Sequence, residues 1–173
     1  MGDVSPERVL FLDFDGVLVH EGYAGEPGDE LWGEHVIDPA AVAVLDAVCA
    51  RAGAAVVISS TWRRNFSPDE LRAMLARRGF RGAVAGATPS LYRDAEGRRL
   101  ERGDEIQAWL DAHPGVRAFA IVDDDDDMAH LRPFLVRTSM AAGLRPEHLD
   151  AALAVFAASE ASASFGRAAP GGG

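Results

Sequence analysis

The stretch VLFLDFDG, residues 9–16, limits this chain to few architectures. Val9, Leu10, Phe11 and Leu12 form an unbroken apolar run of β-favouring residues. A short run without polar alternation reads as a strand buried on both faces, the mark of a parallel sheet covered by helices. It stops on two carboxylates, Asp13 and Asp15, followed by Gly16. Carboxylates this close repel unless a cation or a shared proton separates them. At the C-terminal end of a buried strand they sit where open α/β sheets hold ligands. An ordinary acidic turn also uses Asp and Gly, so the rest of the chain has to separate a turn from a site.

Downstream, strand and helix signals alternate. Asp38 caps a helix that has Pro39 in its first position, an inward stripe of Val42, Leu45, Val48 and Cys49, and Gly53 as its stop. Residues 54–58 form a second apolar strand, ending in Ser59, Ser60 and Thr61. Ser67 and Glu70 have capping-box spacing and open a helix with Leu71, Met74 and Leu75 inward. A weak third strand follows at 83–85, then a turn-rich basic segment at 88–99 and a helix at 105–112 carrying Ile106, Trp109 and Leu110. Residues 118–122 form a fourth strand, the second to end in acids, Asp123 to Asp127. A fifth strand at 134–137 and a helix at 146–158 complete the series. Residues 17–35, rich in Gly and acids, read as a short hairpin or flap. Alternation of this kind implies α/β architecture with a parallel sheet and right-handed crossovers. The expected organisation is one domain over 1–158 and a disordered Ala/Ser/Gly tail over 159–173.

Composition removes several function classes. A net charge of −10 argues against coating a nucleic acid by counterion release, while leaving room for a local basic rim. No apolar run approaches the roughly 20 residues that span a bilayer. The first residues lack the basic and apolar regions of a signal peptide, so a cytoplasmic location and no membrane partner are expected. Cys49, the only cysteine, excludes an intrachain disulfide and reads as a small buried hydrophobe. There is no Walker loop and no GxGxxG, and the five histidines show no metal spacing.

Four elements stand in order: DFDGVL at 13–18, ISST at 58–61, Arg102 in ERGDEI, and VDDDDD at 122–127. This order resembles the haloacid dehalogenase superfamily of phosphohydrolases over nearly the whole folded part. The finer pattern of ISSTWR, RGDEIQAWL, VDDDDDM and GLRPE is similar to the small domain of Swiss-army-knife RNA repair proteins. The resemblance implies a doubly wound, Rossmann-like sheet of order 3-2-1-4-5. The connections after Asp15 and after Ser60 are too short for a large cap domain, which leaves a small flap and an open site.

The resemblance also implies roles. Asp13 would be the nucleophile that forms an aspartyl-phosphate. Asp15 would protonate the leaving oxygen and then activate water. The Asp13 carboxylate, the Asp15 main-chain carbonyl and Asp124 would hold Mg²⁺, a hard cation that takes oxygen ligands. Asp123 and Asp127 would orient those ligands or their waters. Ser60 is the chosen phosphate-binding hydroxyl and Ser59 the alternative. Arg102 is the chosen cation, with Arg98 and Arg99 competing; a guanidinium can bridge phosphate and carboxylate. Arg63 and Arg64, with Arg93, Arg98 and Arg99, are candidates to rim the mouth and meet a phosphate backbone. Trp62 is assigned to the core, with stacking on a terminal base as the alternative.

The leading function is therefore a Mg²⁺-dependent phosphatase whose phosphorylated substrate is a nucleic-acid end. A deoxyribonucleotidase-like hydrolase of free nucleotides is the second reading. A receiver-like or metal-binding module is the third; receivers need a lysine near their end, and all 17 basic residues here are arginine. Oligomeric state has no signature in this sequence.

Overall fold

The computed structural model describes residues 6–27 and 33–165. Its sheet contains β1 (Arg8–Leu12), β2 (Ala55–Ile58), β3 (Val84–Ala87), β4 (Ala118–Asp123) and β5 (Leu135–Arg137). All pairings are parallel, as the α/β reading anticipates, and the strand order is 3-2-1-4-5, as the resemblance implies. The helices are α1 (Pro39–Ala52), α2 (Pro68–Arg77), α3 (Arg102–Ala112) and α4 (His148–Phe165). Single 3₁₀ turns occupy Glu34–Val36, Thr61–Arg64 and Ala129–Phe134.

The apolar run of β1 divides its side chains between two cores, as the period of two in a strand requires. Leu10 and Leu12 join the core beneath α1, α2 and α4. Val9 and Phe11 join Ile106 and Trp109 of α3 on the other face. There Phe11 meets the Trp109 ring edge-to-face at 5.4 Å between centroids. Burial on both faces explains why this strand carries no polar alternation.

The helix termini form where the local chemistry demands them. The Asp38 carboxylate accepts from Ala40 N at 2.8 Å, and Gly53 ends α1 with φ of 64°. Ser67 and Glu70 form the reciprocal capping box of α2. Cys49 is buried, and burial pushes its thiol up to about 12, which leaves it inert.

Several boundaries differ from the sequence reading. The third strand lies at Val84–Ala87, where its pairing with β2 shifts register between Val56 and Val57. Helix α3 begins at Arg102 instead of 105, because Glu101 and Asp104 form a capping box in front of it. Helix α4 begins at His148 and does not stop at Ala158; it continues to Phe165. The boundary expected at 159 is thus corrected. Strand β5 starts opposite Ile121, so Phe119 N has no strand partner on that side, and the buried Ser159 hydroxyl accepts from it at 3.0 Å. Residues 166–173 of the expected tail lie outside the described residues.

Immediately after β1 the chain makes a tight turn. Phe14 O accepts from Leu18 N and Val19 N, and Leu18 O accepts from Asp38 N. Residues 28–32 of the expected flap lie outside the described residues. Among the described residues no cap-sized element interrupts the domain, and no helix is long and apolar enough to cross a membrane.

Candidate active site

Register alone brings the functional side chains together. Leu12 pairs with Ile58 on one side and with Val122 on the other. The residues that follow those three, Asp13, Ser59 and Asp123, therefore emerge side by side at the carboxyl edge of the sheet. Asp13 N donates to Val122 O at 3.1 Å, and Ser59 N donates to Leu12 O at 2.8 Å, which holds that alignment past the strand ends.

Asp13 is buried. Its carboxylate accepts from Phe14 N at 2.8 Å, and the Ser60 side chain lies beside it. Arg102 reaches it from the first turn of α3, with Nη2 3.7 Å from Asp13 Oδ2 and Nε 3.7 Å from Asp123 Oδ2. The same guanidinium donates to the Ser59 carbonyl, and Arg102 N lies 3.4 Å from Asp127 Oδ2. Gly103 permits this approach: a Cβ there would stand 2.3 Å from the Met128 carbonyl oxygen. One buried cation thus ties together the ends of β1, β2 and β4.

It does not neutralise them. Burial pushes Asp13 up to about 6 despite Arg102. Burial, and then the charge of Asp13, push Asp123 up to about 8. Burial also raises Asp124. Carboxylate oxygens of Asp13, Asp123 and Asp124 all lie within 4.8 Å of one another. Asp123 Oδ2 is buried without a hydrogen-bond partner. A group of hard oxygen donors with more negative charge than its arginine balances fits Mg²⁺. Gly16, with φ of 70°, lets the turn after Asp13 close against this group, since a Cβ there would lie 2.1 Å from Asp124 Cγ.

Asp15, two residues on from Asp13, is half-buried. Its Oδ1 accepts from Trp62 Nε1 at 3.1 Å. The Trp62 ring is buried between Phe14 and Phe66, so it is no stacking platform for a base; the alternative role weighed for it is corrected. The Ser60 hydroxyl, besides contacting Asp13, accepts from Trp62 N at 3.3 Å. The Ser59 hydroxyl is buried and has no hydrogen-bond partner.

The arginines separate. Only Arg102 among the three competitors reaches the acids: Arg98 pairs with Asp94 and Asp104, and Arg99 is exposed. Arg63, expected at the mouth and in contact with substrate, lines a cavity next to Arg102 and is tied to α3 from there. Its guanidinium pairs with the buried Glu105 at 2.5 Å and donates to Ser60 O at 2.5 Å. Burial of an unbalanced Glu105 on the inner face of α3 would be prohibitive, and Arg63 supplies the counter-charge.

Two functional contacts escape the sequence reading. Nothing local links Trp62 to Asp15, which lie on separate loops joined only by the sheet. Glu105 did carry a signal: it stands four residues before Trp109, on the helix face already assigned to the core.

The model of the family described as the HAD domain in Swiss Army Knife RNA repair proteins matches residues 9–149. No curated protein matches the chain.

Proposed function

The chain belongs to the HAD domains of Swiss Army Knife RNA repair proteins, and from that premise we propose that it is a Mg²⁺-dependent phosphomonoesterase working through Asp13 on the terminal phosphate of a nucleic acid. The observation that carries this reading is the cluster of Asp13, Asp123 and Asp124 around a single buried guanidinium, with a serine side chain beside Asp13. It combines a nucleophile, an excess of carboxylate for a cation, and donors for phosphoryl oxygens.

An Asp13 carboxylate oxygen attacks phosphorus, and the bond from phosphorus to the ester oxygen breaks as that new bond forms. Asp15 gives its proton to the departing oxygen. Water then attacks phosphorus, Asp15 takes its proton, and phosphate leaves with Asp13 restored. Arg102 and Ser60 donate to the phosphoryl oxygens throughout. The Asp13 carboxylate, the Asp15 carbonyl and Asp124 would hold Mg²⁺, while Asp123 and Asp127 orient them. When bound, that ion neutralises charge shared between Asp13 and the phosphoryl group.

The test is phosphate release from 3′- and 5′-phosphorylated oligonucleotides and from matching mononucleotides, with Mg²⁺ or with EDTA. Release from the oligonucleotides, abolished by EDTA, is the expected result. Faster release from mononucleotides would make the protein a nucleotidase. Mg²⁺ binding without release from any ester would make it a non-catalytic module.

Stability gives a second readout of the metal. Asp13 and Asp123 are raised above their unfolded values, to about 6 and about 8. The folded metal-free protein therefore holds protons more tightly than the unfolded chain, and it loses stability as pH rises from about 4 to about 8. Mg²⁺ competes with those protons. It should raise Tm more at about pH 8 than at about pH 5. An equal increment in thermal scans at both values would place the ion away from this cluster.

Trp62→Phe should lower kcat about tenfold with KM unchanged, because the ring body survives while the donor that holds Asp15 is lost. A kcat equal to wild type would reduce the indole to a packing role.

A further inference from the structure

Beside the acid cluster lies a cavity of about 200 Å³, bounded by the Thr61–Arg64 turn, the 88–100 loop and the first turn of α3. Arg102 both lines the cavity and contacts the acid cluster, so the two are adjacent. Arg64 and Arg99 line it as well. Most arginines in this acidic chain are neutralised. Among the described residues, only Arg51, Arg64, Arg93 and Arg99 form no ion pair with a carboxylate. All but Arg51 gather at this cavity or on the loop that walls it. Asp127 also lines the wall, held toward Arg102 N.

The wall is built, not loose. Glu105 Oε1 accepts from Leu91 N at 2.9 Å, and Arg63 Nη2 lies 3.4 Å from Pro89 O. The buried Arg63–Glu105 pair therefore pins the 88–100 loop to β2 and α3. An antiparallel bridge between Arg93 and Arg99 closes the loop on itself. Tyr92 stands on it 66% exposed, with the Arg93 guanidinium 5.6 Å from its ring centroid. Beneath, burial depresses the Arg63 guanidinium; its pairing with Glu105 opposes that shift, and the charges of Arg102 and Arg64 add to it. Glu101, Glu105 and Asp127 also line the cavity, but Arg64 and Arg99 pair with none of them, and two unpaired guanidinia facing one cavity repel unless an anion sits between them.

We infer that this cavity is a subsite for the phosphodiester adjoining the terminal phosphate of a single-stranded oligonucleotide, with Tyr92 offering a stacking face to the neighbouring base. The inference rests on the phosphatase reading for the identity of the terminal group. Arg64 and Arg99 hold the internal phosphate, Arg102 faces the terminal one, and the chain length of the substrate becomes readable. Cation contacts to the backbone and aromatic stacking are both indifferent to base sequence.

The experiment compares kcat/KM for a phosphorylated trinucleotide and the matching phosphorylated mononucleotide. Wild type should favour the trinucleotide by about 10- to 100-fold, a preference that shrinks with added salt. In Arg64→Ala plus Arg99→Ala the ratio should fall toward about one. Arg51→Ala removes an equal charge elsewhere and should leave the ratio unchanged. A wild-type ratio near one, or a ratio unmoved by the double substitution, overturns the subsite. Fluorescence anisotropy of labelled trinucleotide on the Asp13→Asn protein decides the matter without turnover: binding about tenfold tighter than the labelled mononucleotide, lost on adding the double substitution, supports the subsite. Equal binding of the two overturns it. Absence of phosphate release from every ester would overturn the phosphatase reading alone, and the anisotropy result would still decide the cavity.

Discussion

Asp13→Asn will give a folded protein whose phosphate release falls by about 10⁴-fold or more. The amide is nearly isosteric with the carboxylate, but it cannot accept a phosphoryl group and return it to water. Its oxygen still accepts from Phe14 N, so the turn after β1 keeps its shape. A second consequence follows from burial. Asp13 is held up to about 6 by its surroundings, so above that value the wild-type protein carries a buried charge against the preference of its environment. The amide has no such charge. The metal-free variant should therefore melt at or above wild type at about pH 8, and Mg²⁺ should raise its Tm less. Phosphate-release assays and thermal scans on the same preparation check both parts. Wild-type turnover in protein freed of contaminating phosphatase would remove Asp13 as nucleophile. A large drop in Tm would make the activity loss uninformative, and Asp13→Glu, which keeps the charge but moves the acceptor by a methylene, would then serve: it too should be inactive.

Arg102→Ala should be the most damaging single change to the fold at this site. The guanidinium is 13% exposed and contacts Asp13, Asp123 and the Ser59 carbonyl. Removing one partner of a buried charge group costs about 3 kcal/mol or more, because the remaining charges are left uncompensated. For a domain of this size that is a fall in Tm of roughly 6–12 °C. The sign with pH is definite. At low pH the carboxylates protonate and need no counter-charge, so the loss should be smaller at about pH 5 than at about pH 8. A cavity effect alone would be the same at both. Activity should vanish as well, since among the described residues no other guanidinium reaches Asp13. Arg102→Lys should recover part of the stability but little of the activity: an ammonium supplies one point of charge where the site uses a fork. Denaturation at two pH values separates these outcomes, and a pH-independent loss would mean that Arg102 only fills space.

Much of this was legible in residues alone because the deciding physics is local. An apolar run too short for a helix and without alternation has to be a buried strand, and its end has to be where the polarity changes. Asp38 with Pro39, and Ser67 with Glu70, announce helix starts through hydrogen bonds they make within one turn. The order of motifs at successive strand ends also carried the sheet order, through the family resemblance they compose. The match over residues 9–149 agrees with that.

What the tertiary structure decided are the contacts whose partners lie far apart in the chain. Three arginines competed for one role, and only the capping box at Glu101 and the close approach permitted by Gly103 direct Arg102 to the acids. Arg63 read as a rim residue because arginine is usually solvated; an acid 42 positions away ties it to α3. Trp62 read correctly as core, yet its N–H serves Asp15 across 47 positions. The tail read as disordered from its Ala and Ser content, yet a single serine finds an amide that β5 leaves unpaired, and the helix continues past it. Residue type and short-range spacing determine elements and candidate chemistry because those depend on a few adjacent side chains. The pairing of charges depends on which strand ends are neighbours and on how deeply each group is desolvated, and these exist only once the sheet has assembled.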